Sequence, residues 1–184
     1  MPRLLNIAPP GQRSAAAGFD TPMAMLKECH RRVQDQCDTL ARLVPHLARH
    51  GSDTAAVEAA AAVVRYFEVA APQHHADEED ELLPAMFEAV AGADAVCLHE
   101  MAAGLLADHE ALAAQWHTLR AVLVDIMAGK PARLDGAAVQ AFAQHYRAHI
   151  RFEEEALFPM AERLLAQEVL ARMGRAMRRR RGEG

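Results

Sequence analysis

Residues 74–84 read HHADEEDELLP, and residues 149–159 read HIRFEEEALFP. In each stretch the first histidine is followed four residues later by a glutamate, and a proline comes six residues after that glutamate. One further histidine lies upstream of each stretch, His30 before the first and His109 before the second. The chain therefore contains the same pattern of two histidines and one glutamate twice.

The similarity between the two halves extends beyond these residues. Aligning His74 with His149 superimposes the two quoted stretches and also places Phe67 on Phe142. Aligning His30 with His109 superimposes several of their apolar neighbours at a nearly equal offset. Self-similarity at two such offsets indicates a duplicated helical hairpin.

Composition agrees with one ordinary domain. The chain has 184 residues, 52% of them hydrophobic, and no stretch long enough to cross a bilayer is free of charge. The N-terminus lacks the long apolar segment of a secretory signal, so we expect a cytoplasmic location and no contact with a membrane. The chain has three cysteines, an odd number, without a Cys-x-x-Cys spacing. We therefore expect neither a disulfide framework nor a thiolate metal site.

The pattern of apolar residues predicts an all-α fold. Apolar residues recur every three or four positions, and Ala, Leu, Glu, Arg and Met dominate. Thr21 is a good N-cap for the first helix, and disturbances are expected at Pro72, Pro84 and Pro159, because proline lacks an N–H and clashes with the preceding turn. The predicted helices cover residues 22–49, 53–90, 95–128 and about 135 onwards. Short connections between long helices favour an antiparallel, up-down four-helix bundle.

The two ends of the chain differ from this body. We predict a flexible N-terminal arm over residues 1–20, the bundle over 21–165, and a short basic helix or tail over 166–184. Six arginines lie between Arg172 and Arg181, and without them the formal net charge would change from −5 to −11. The simplest interpretation is a solvated, partly frayed terminus, and contact with nucleic acid or an anionic surface is the less favoured alternative.

The repeated residues have the chemistry of a metal site. On an α-helix, positions i and i+4 lie on nearly the same face, about 6 Å apart along the axis, so each histidine can point inward with its glutamate. An imidazole supplies one nitrogen, whereas a carboxylate has two oxygens and can bridge two cations. The six candidate ligands are His30, His74, Glu78, His109, His149 and Glu153.

These six ligands leave room for a small molecule. On an even split, two bridging glutamates and four histidines give each ion two nitrogens and two oxygens. A shared oxide or hydroxide would make five ligands, so an octahedral ion keeps one position open. Imidazole and carboxylate without sulfur favour iron, with manganese or zinc as less favoured metals.

The six residues and the two quoted stretches resemble the hemerythrin-like, or HHE cation-binding, domain family over roughly residues 22–165. The resemblance implies a four-helix bundle with a non-haem di-iron centre bridged by Glu78 and Glu153. It also implies one of several functions, since the family includes oxygen carriers, oxygen or iron sensors, and proteins that repair iron–sulfur clusters. The repair proteins have an additional cysteine-containing N-terminal domain, and we do not expect one in this chain.

The sequence departs from the oxygen carriers, which use five histidines and a glutamate–aspartate pair. Here both carboxylates are glutamates, and His145 is a candidate fifth ligand because it lies one turn before His149. Its counterpart under the repeat is Ala70, however, which favours an outer or core-facing role for His145. No role is predicted for His75, and the other acidic residues near the motif, including Asp77, Glu79 and Glu154, are predicted to face solvent, with an outer position at the site as an alternative for the two glutamates.

The favoured function is binding or sensing of a small diatomic ligand, oxygen first and nitric oxide second. A di-iron enzyme of the oxidase or peroxidase type is an alternative, although such enzymes usually supply more carboxylates than histidines. An iron donor or repair protein is a second alternative, and a bundle that a cation merely holds together is a third. Enzymatic activity is the less favoured class, and protein partners are not indicated.

Overall fold

The structure, a computed structural model, describes residues 18–183. Of the predicted N-terminal arm, only the last three positions fall within this range. Within the range every regular element is helical, which confirms the all-α prediction. The elements, three of which are π-helical, are α1 (Pro22–His50), α2 (Thr54–Arg65), π1 (Tyr66–Ala70), α3 (Ala71–Asp77), π2 (Glu78–Leu82), α4 (Leu83–Ala89), α5 (Ala93–Met127), α6 (Gly136–Phe152), π3 (Glu153–Leu157), α7 (Phe158–Leu164) and α8 (Gln167–Arg180).

The long helices contact one another in a closed cycle. Helix α1 packs against α2 and α6, and α5 packs against the same two helices. This pattern agrees with the predicted helical bundle, and the predicted helix boundaries fall within about two residues of those observed. Among the described residues, none of the helices combines the length and the apolar character needed to cross a bilayer.

Helix starts follow the sequence signals only in part. The Asp53 carboxylate accepts a hydrogen bond from the amide of Ala56 and so caps α2 as its residue type predicts. Thr21 occupies the N-cap position of α1, but its hydroxyl donates to the carbonyl oxygen of Gly18 and caps no helical amide. The proposed capping role of the Thr21 side chain is therefore wrong, and the start of α1 depends on Pro22, which needs no amide partner.

Each predicted proline disturbance takes the form of a π turn. The residue directly before each proline donates its amide to the carbonyl five positions earlier, as from Ala71 to Tyr66, from Leu83 to Glu78 and from Phe158 to Glu153. The wider turn accommodates the proline, which has no N–H to donate. The helical segments over residues 54–89 and 136–164 therefore continue without a break. Two of the three π turns begin on the glutamates of the repeated motif.

Two apolar clusters fill the interior, and two of the repeated histidines lie between them along the chain. On α1, His30 lies between Leu26 of one cluster and Val33 of the other. Helix α5 has the same order, with His109 between apolar residues 105 and 112. These two histidines thus lie at the boundary between the clusters.

The basic C-terminal segment is docked on the body, contrary to the expected solvated terminus. Met173 and Met177 of α8 are buried in the second apolar cluster. Gly174 lies so close to the backbone of Phe19 that an added Cβ would lie 1.9 Å from its carbonyl oxygen. Helix α8 is therefore a packed part of the described structure.

Two arginines complete this docking by pairing with a buried carboxylate. Arg180 donates to Asp77 at 2.5 Å, and Arg181 donates to the other Asp77 oxygen at 2.6 Å. Asp77 is fully buried, so the prediction that it faces solvent is wrong. A buried carboxylate is tolerated when it is paired and hydrogen-bonded, and the two guanidinium groups supply both.

Candidate metal centre

The structure brings all six sequence-predicted ligands together in the polar layer. His30 comes from α1, His109 from α5, and each of the two His-x-x-x-Glu pairs from its own π-interrupted segment. All six side chains are buried, and both glutamates are fully inaccessible to solvent. Burial of two carboxylates and four imidazoles is costly unless each finds a partner, so their convergence requires a chemical explanation.

The six residues form two groups that share both glutamates. Ligand atoms of His30 and His74 lie within 4.8 Å of one another and of one oxygen from each of Glu78 and Glu153. Ligand atoms of His109 and His149 form a second such group with the same two glutamates. The arrangement can hold two cations side by side with shared carboxylates, as the sequence predicts.

The polar atoms of this layer approach closely without hydrogen bonding one another. Nε2 of His30 and Nε2 of His149 each lie 2.9 Å from an oxygen of Glu153, yet neither contact has hydrogen-bond geometry. All four oxygens of Glu78 and Glu153 are buried without a hydrogen-bond partner. Each such atom destabilises a protein by about 1–3 kcal/mol. A cation at each of the two positions would satisfy these atoms, so the donor set fits a metal pair.

The electrostatics of the metal-free layer support the same conclusion. Burial, together with the neighbouring Glu153 carboxylate, holds the pKa of Glu78 well above its usual range. Burial, together with the neighbouring imidazole of His30, holds the pKa of His74 well below its usual range. At His74 this favours a neutral imidazole with a free lone pair, which is the form that binds metal. At His149 burial acts in the same direction, but the neighbouring Glu153 carboxylate outweighs it and raises the pKa.

Two exposed glutamates orient the imidazoles from outside. Nδ1 of His30 donates to Glu154 at 2.7 Å, and Nδ1 of His109 donates to Glu79 at 2.6 Å. Because a carboxylate only accepts, both protons lie on Nδ1, and both Nε2 lone pairs point into the layer. Both glutamates are about 40% exposed, but their contacts contradict the prediction of purely solvent-facing groups and favour the outer position named as its alternative. The repeat contained the signal, since the alignment of His74 with His149 also pairs Glu79 with Glu154.

We expect Glu79→Gln and Glu154→Gln each to weaken metal binding about 10–100-fold, the usual effect of removing the outer partner of a ligating histidine. Glutamine no longer fixes the tautomer, because its amide can accept or donate. Competition titration with a metal-binding dye measures the affinity. Glu155→Gln, an exposed neighbour with the same change of charge, is the matched control and should leave the affinity unchanged. Equal affinities in all three variants would contradict the orienting role.

His145 is not part of either group. Its Nε2 lies 3.2 Å from Asp108 and its Nδ1 lies 3.4 Å from the side-chain oxygen of Gln115. The other oxygen of Asp108 lies 3.5 Å from Nδ1 of His149. This geometry gives His145 an outer position, next to a carboxylate that faces the His149 ring.

His75 is the residue that the sequence analysis missed. A ligand atom of its ring lies within 4.8 Å of ligand atoms of His109 and His149. Its counterpart in the alignment of the two motif stretches is Ile150, so a search based on the repeat passes over it. Adjacency to His74 was the one available signal.

The metal-binding groups found among the described residues consist of histidines and glutamates and contain none of the three cysteines. Cys29 and Cys37 are buried free thiols, and Cys97 is an exposed one. Burial raises the pKa of Cys37 to about 12, so this thiol stays protonated and unreactive at neutral pH.

Comparison with known proteins extends the likeness over most of the chain. A family model described as the hemerythrin HHE cation binding domain matches residues 21–161. A protein of Haemophilus influenzae, named only as an uncharacterized protein, is 32% identical over 165 residues, which cover 90% of this chain and 92% of that protein. The matched range includes all six converging histidines and glutamates.

Proposed function

Because this chain belongs to the hemerythrin HHE cation-binding domain family, we propose that it is a non-haem di-iron protein that binds or senses a small diatomic ligand, oxygen first and nitric oxide second. The observation that supports this most strongly is the pair of histidine groups sharing Glu78 and Glu153. The proposed iron ligands are the six residues predicted from the sequence. A cytoplasmic location stays a prediction.

The nature of the donors favours iron. Four imidazoles and two carboxylates are borderline-to-hard ligands without a thiolate, which suits iron, whereas structural zinc sites favour cysteine. Two iron ions held there, with a bridging oxide or hydroxide, would supply redox chemistry and a coordination position open to a diatomic ligand. The protein contributes a buried layer of side chains next to two apolar clusters, which would shield such a ligand from solvent.

The high proportion of histidine among the proposed ligands favours reversible ligand binding over catalysis. Di-iron enzymes that activate oxygen usually supply more carboxylates than histidines, and the converging groups here contain more histidines. The outer glutamates Glu79 and Glu154 hold the protons of their histidines at Nδ1, so no proton faces the centre from these two rings. Reversible binding therefore fits the donor set better than turnover.

The test is to load the metal-free protein with Fe²⁺ under anaerobic conditions and then to admit oxygen. We expect two iron ions per chain by elemental analysis and a visible charge-transfer band that disappears on degassing. His149→Gln should lose the band, whereas His50→Gln, an exposed histidine on α1, should retain it. Protein that takes up no iron would contradict the proposal, and multiple turnovers of oxygen or peroxide would replace it with the enzymatic alternative.

A further inference from the structure

Helix α8 packs against the elements that carry one of the two candidate metal groups. Its most extensive contacts with other elements are those with α1, α3 and π2. These three elements carry His30, His74 and Glu78, which together with Glu153 form one of the two groups. The family model ends at residue 161, so α8 lies outside the matched range. Its contacts with the site are therefore a feature of this chain that the family model does not describe.

The C-terminal end of α8 holds the residue directly before Glu78 through two charged hydrogen bonds. Arg180 donates to one oxygen of Asp77 at 2.5 Å, and Arg181 donates to the other at 2.6 Å. Arg180 also donates to Asp80 at 3.0 Å, on the other side of Glu78 along the chain. Hydrogen bonds between ionised groups are about twice as strong as neutral ones, so these contacts restrain the segment on both sides of Glu78.

Two further contacts link this end of α8 to the residues directly before His74 and His30. The Gln73 side chain donates a long hydrogen bond, 3.5 Å, to a backbone carbonyl oxygen near the end of α8. Cys29 is buried and lines a cavity of about 60 Å³ together with Gln73 and Arg181. The end of α8 therefore lies next to the residue that precedes each of three ligands in the same group.

The second copy of the repeated motif has a different residue in place of Asp77. Aligning His74 with His149 places Phe152 at this position. Phe152 is half-buried and packs against the second apolar cluster, so the fold accommodates an apolar side chain there. A buried ion pair is often no more stabilising than well-packed apolar residues of similar volume. Packing of α8 on the body therefore does not by itself explain the buried carboxylate and its two arginines.

We propose that the C-terminal end of α8 positions the segments that carry His30, His74 and Glu78, and so strengthens binding of the metal ion on that side of the pair. This inference rests on the proposed function, since it concerns the same metal pair. The two arginines are positioning residues, because they act on the ligands through neighbouring residues. An ion bound by side chains from three separate elements is held less tightly when those elements move apart, and α8 contacts all three.

The first test compares two double variants of the full-length protein. Arg180→Ala with Arg181→Ala removes the contacts with Asp77, whereas Arg175→Ala with Arg179→Ala removes the same charge from exposed positions of α8. Anaerobic competition titration with a chelating dye measures the affinity for Fe²⁺ of proteins whose helical content is checked by circular dichroism. We expect one ion of the pair to bind about 10-fold more weakly in the first variant alone, the lower end of the effect of losing a support outside the ligands.

Three results of this titration would overturn the inference. Equal affinities in the two variants would show that the arginines stabilise the fold without positioning the ligands. Tighter binding in the first variant would show that their positive charge merely repels the cation. Equal weakening of both ions would show a general loosening of the protein rather than an effect on one group.

The second test uses wild-type protein and so does not depend on whether a variant folds. Coupling between two sites is reciprocal, so an ion that binds more tightly because α8 is docked must also hold α8 more tightly. Trypsin cleaves after arginine, and α8 contains several arginines. Because cleavage tracks the population of the open state, cleavage within α8 should be about 10-fold slower in iron-loaded than in metal-free protein.

Arg42, an exposed arginine on the C-terminal half of α1, is the internal control for general stabilisation by iron. Cleavage after Arg42 should change less than cleavage within α8. Equal protection at the two places, or no protection of α8 by iron, would contradict the inference. Wild-type protein that takes up no iron would instead contradict the proposed function, so the two failures are distinguishable.

Discussion

Replacing Glu78 by glutamine is expected to abolish binding of the metal pair and, at the same time, to stabilise the metal-free protein. Glu78 is fully buried and both of its oxygens lack a hydrogen-bond partner. It is also one of the two carboxylates shared by both histidine groups. Glutamine has the same shape without the negative charge, so it removes the charge that attracts two cations and the penalty for burying that charge.

The stabilisation should depend on pH with a defined sign. The pKa of Glu78 in the folded protein lies well above its ordinary value of 4.5 because of burial and the nearby Glu153 carboxylate. Well below pH 4.5 the carboxyl is neutral in both folded and unfolded chains, so its ionisation does not contribute to the free energy of unfolding. As the pH rises above 4.5, the unfolded chain ionises first and the folded protein loses stability. Glu78→Gln lacks this loss.

The measurement is urea denaturation of chelator-treated wild-type protein and Glu78→Gln between pH 4.5 and pH 8. We expect the variant to be more stable by about 1–3 kcal/mol at pH 8, the range for an unsatisfied buried polar group, with the difference vanishing near pH 4.5. Metal affinity should fall by more than about 100-fold, beyond the effect of losing an outer partner.

Glu155→Gln is the control for this experiment, because it makes the same change at an exposed position two residues from the other shared glutamate. Its stability and metal affinity should equal those of the wild-type protein. A Glu78→Gln variant that is less stable than wild-type protein at pH 8 without metal would show that Glu78 stabilises the fold by itself. The proposal that Glu78 binds metal at the expense of stability would then be wrong.

The double substitution Arg180→Ala and Arg181→Ala is expected to destabilise the protein by about 3–5 kcal/mol. Both guanidinium groups donate to Asp77, which is fully buried, and without them its negative charge would have no cationic partner. Arg180 also pairs with Asp80 at 3.0 Å and so links α8 to π2. Loss of both arginines should therefore release α8 from the body as well as lower the free energy of unfolding.

Chemical denaturation and limited proteolysis measure these two effects. The matched control is Arg175→Ala with Arg179→Ala, which removes the same charge from exposed positions of the same helix. A third variant, with Asp77→Asn added to the double substitution, should recover part of the lost stability, because it removes the uncompensated charge. Equal stability of the test and control pairs would show that the buried methionines of α8 hold it without the arginines.

The sequence alone was enough to predict the helical class, the approximate helix boundaries and the convergence of six residues. These features are encoded locally or by the repeat. Apolar spacing predicts helices, proline predicts interruptions, and His-x-x-x-Glu places two ligands on one helix face. The repeat then predicts that equivalent side chains meet, as Phe67 and Phe142 also do, with ring centroids 5.2 Å apart.

The π turns show the limit of such local reasoning. Pro72, Pro84 and Pro159 predict a disturbance, but a kink, a break and a widened turn are equally compatible with a missing N–H. In the structure the helical segments continue on both sides of each proline, and a widened turn accommodates the proline within them. The sequence therefore predicts an interruption but not its form.

The outer partners, the His75 ring and the docking of α8 were decided by tertiary structure. Glu79 and Glu154 follow the shared glutamates in sequence, but their partners are histidines 30 and 124 residues away. His75 breaks the repeat, and the partners of buried Asp77 are two arginines more than 100 residues away. Sequence periodicity fixes which face of a helix a residue occupies. Only the packing of distant segments determines what that face meets, because burial and pairing are properties of both surfaces together.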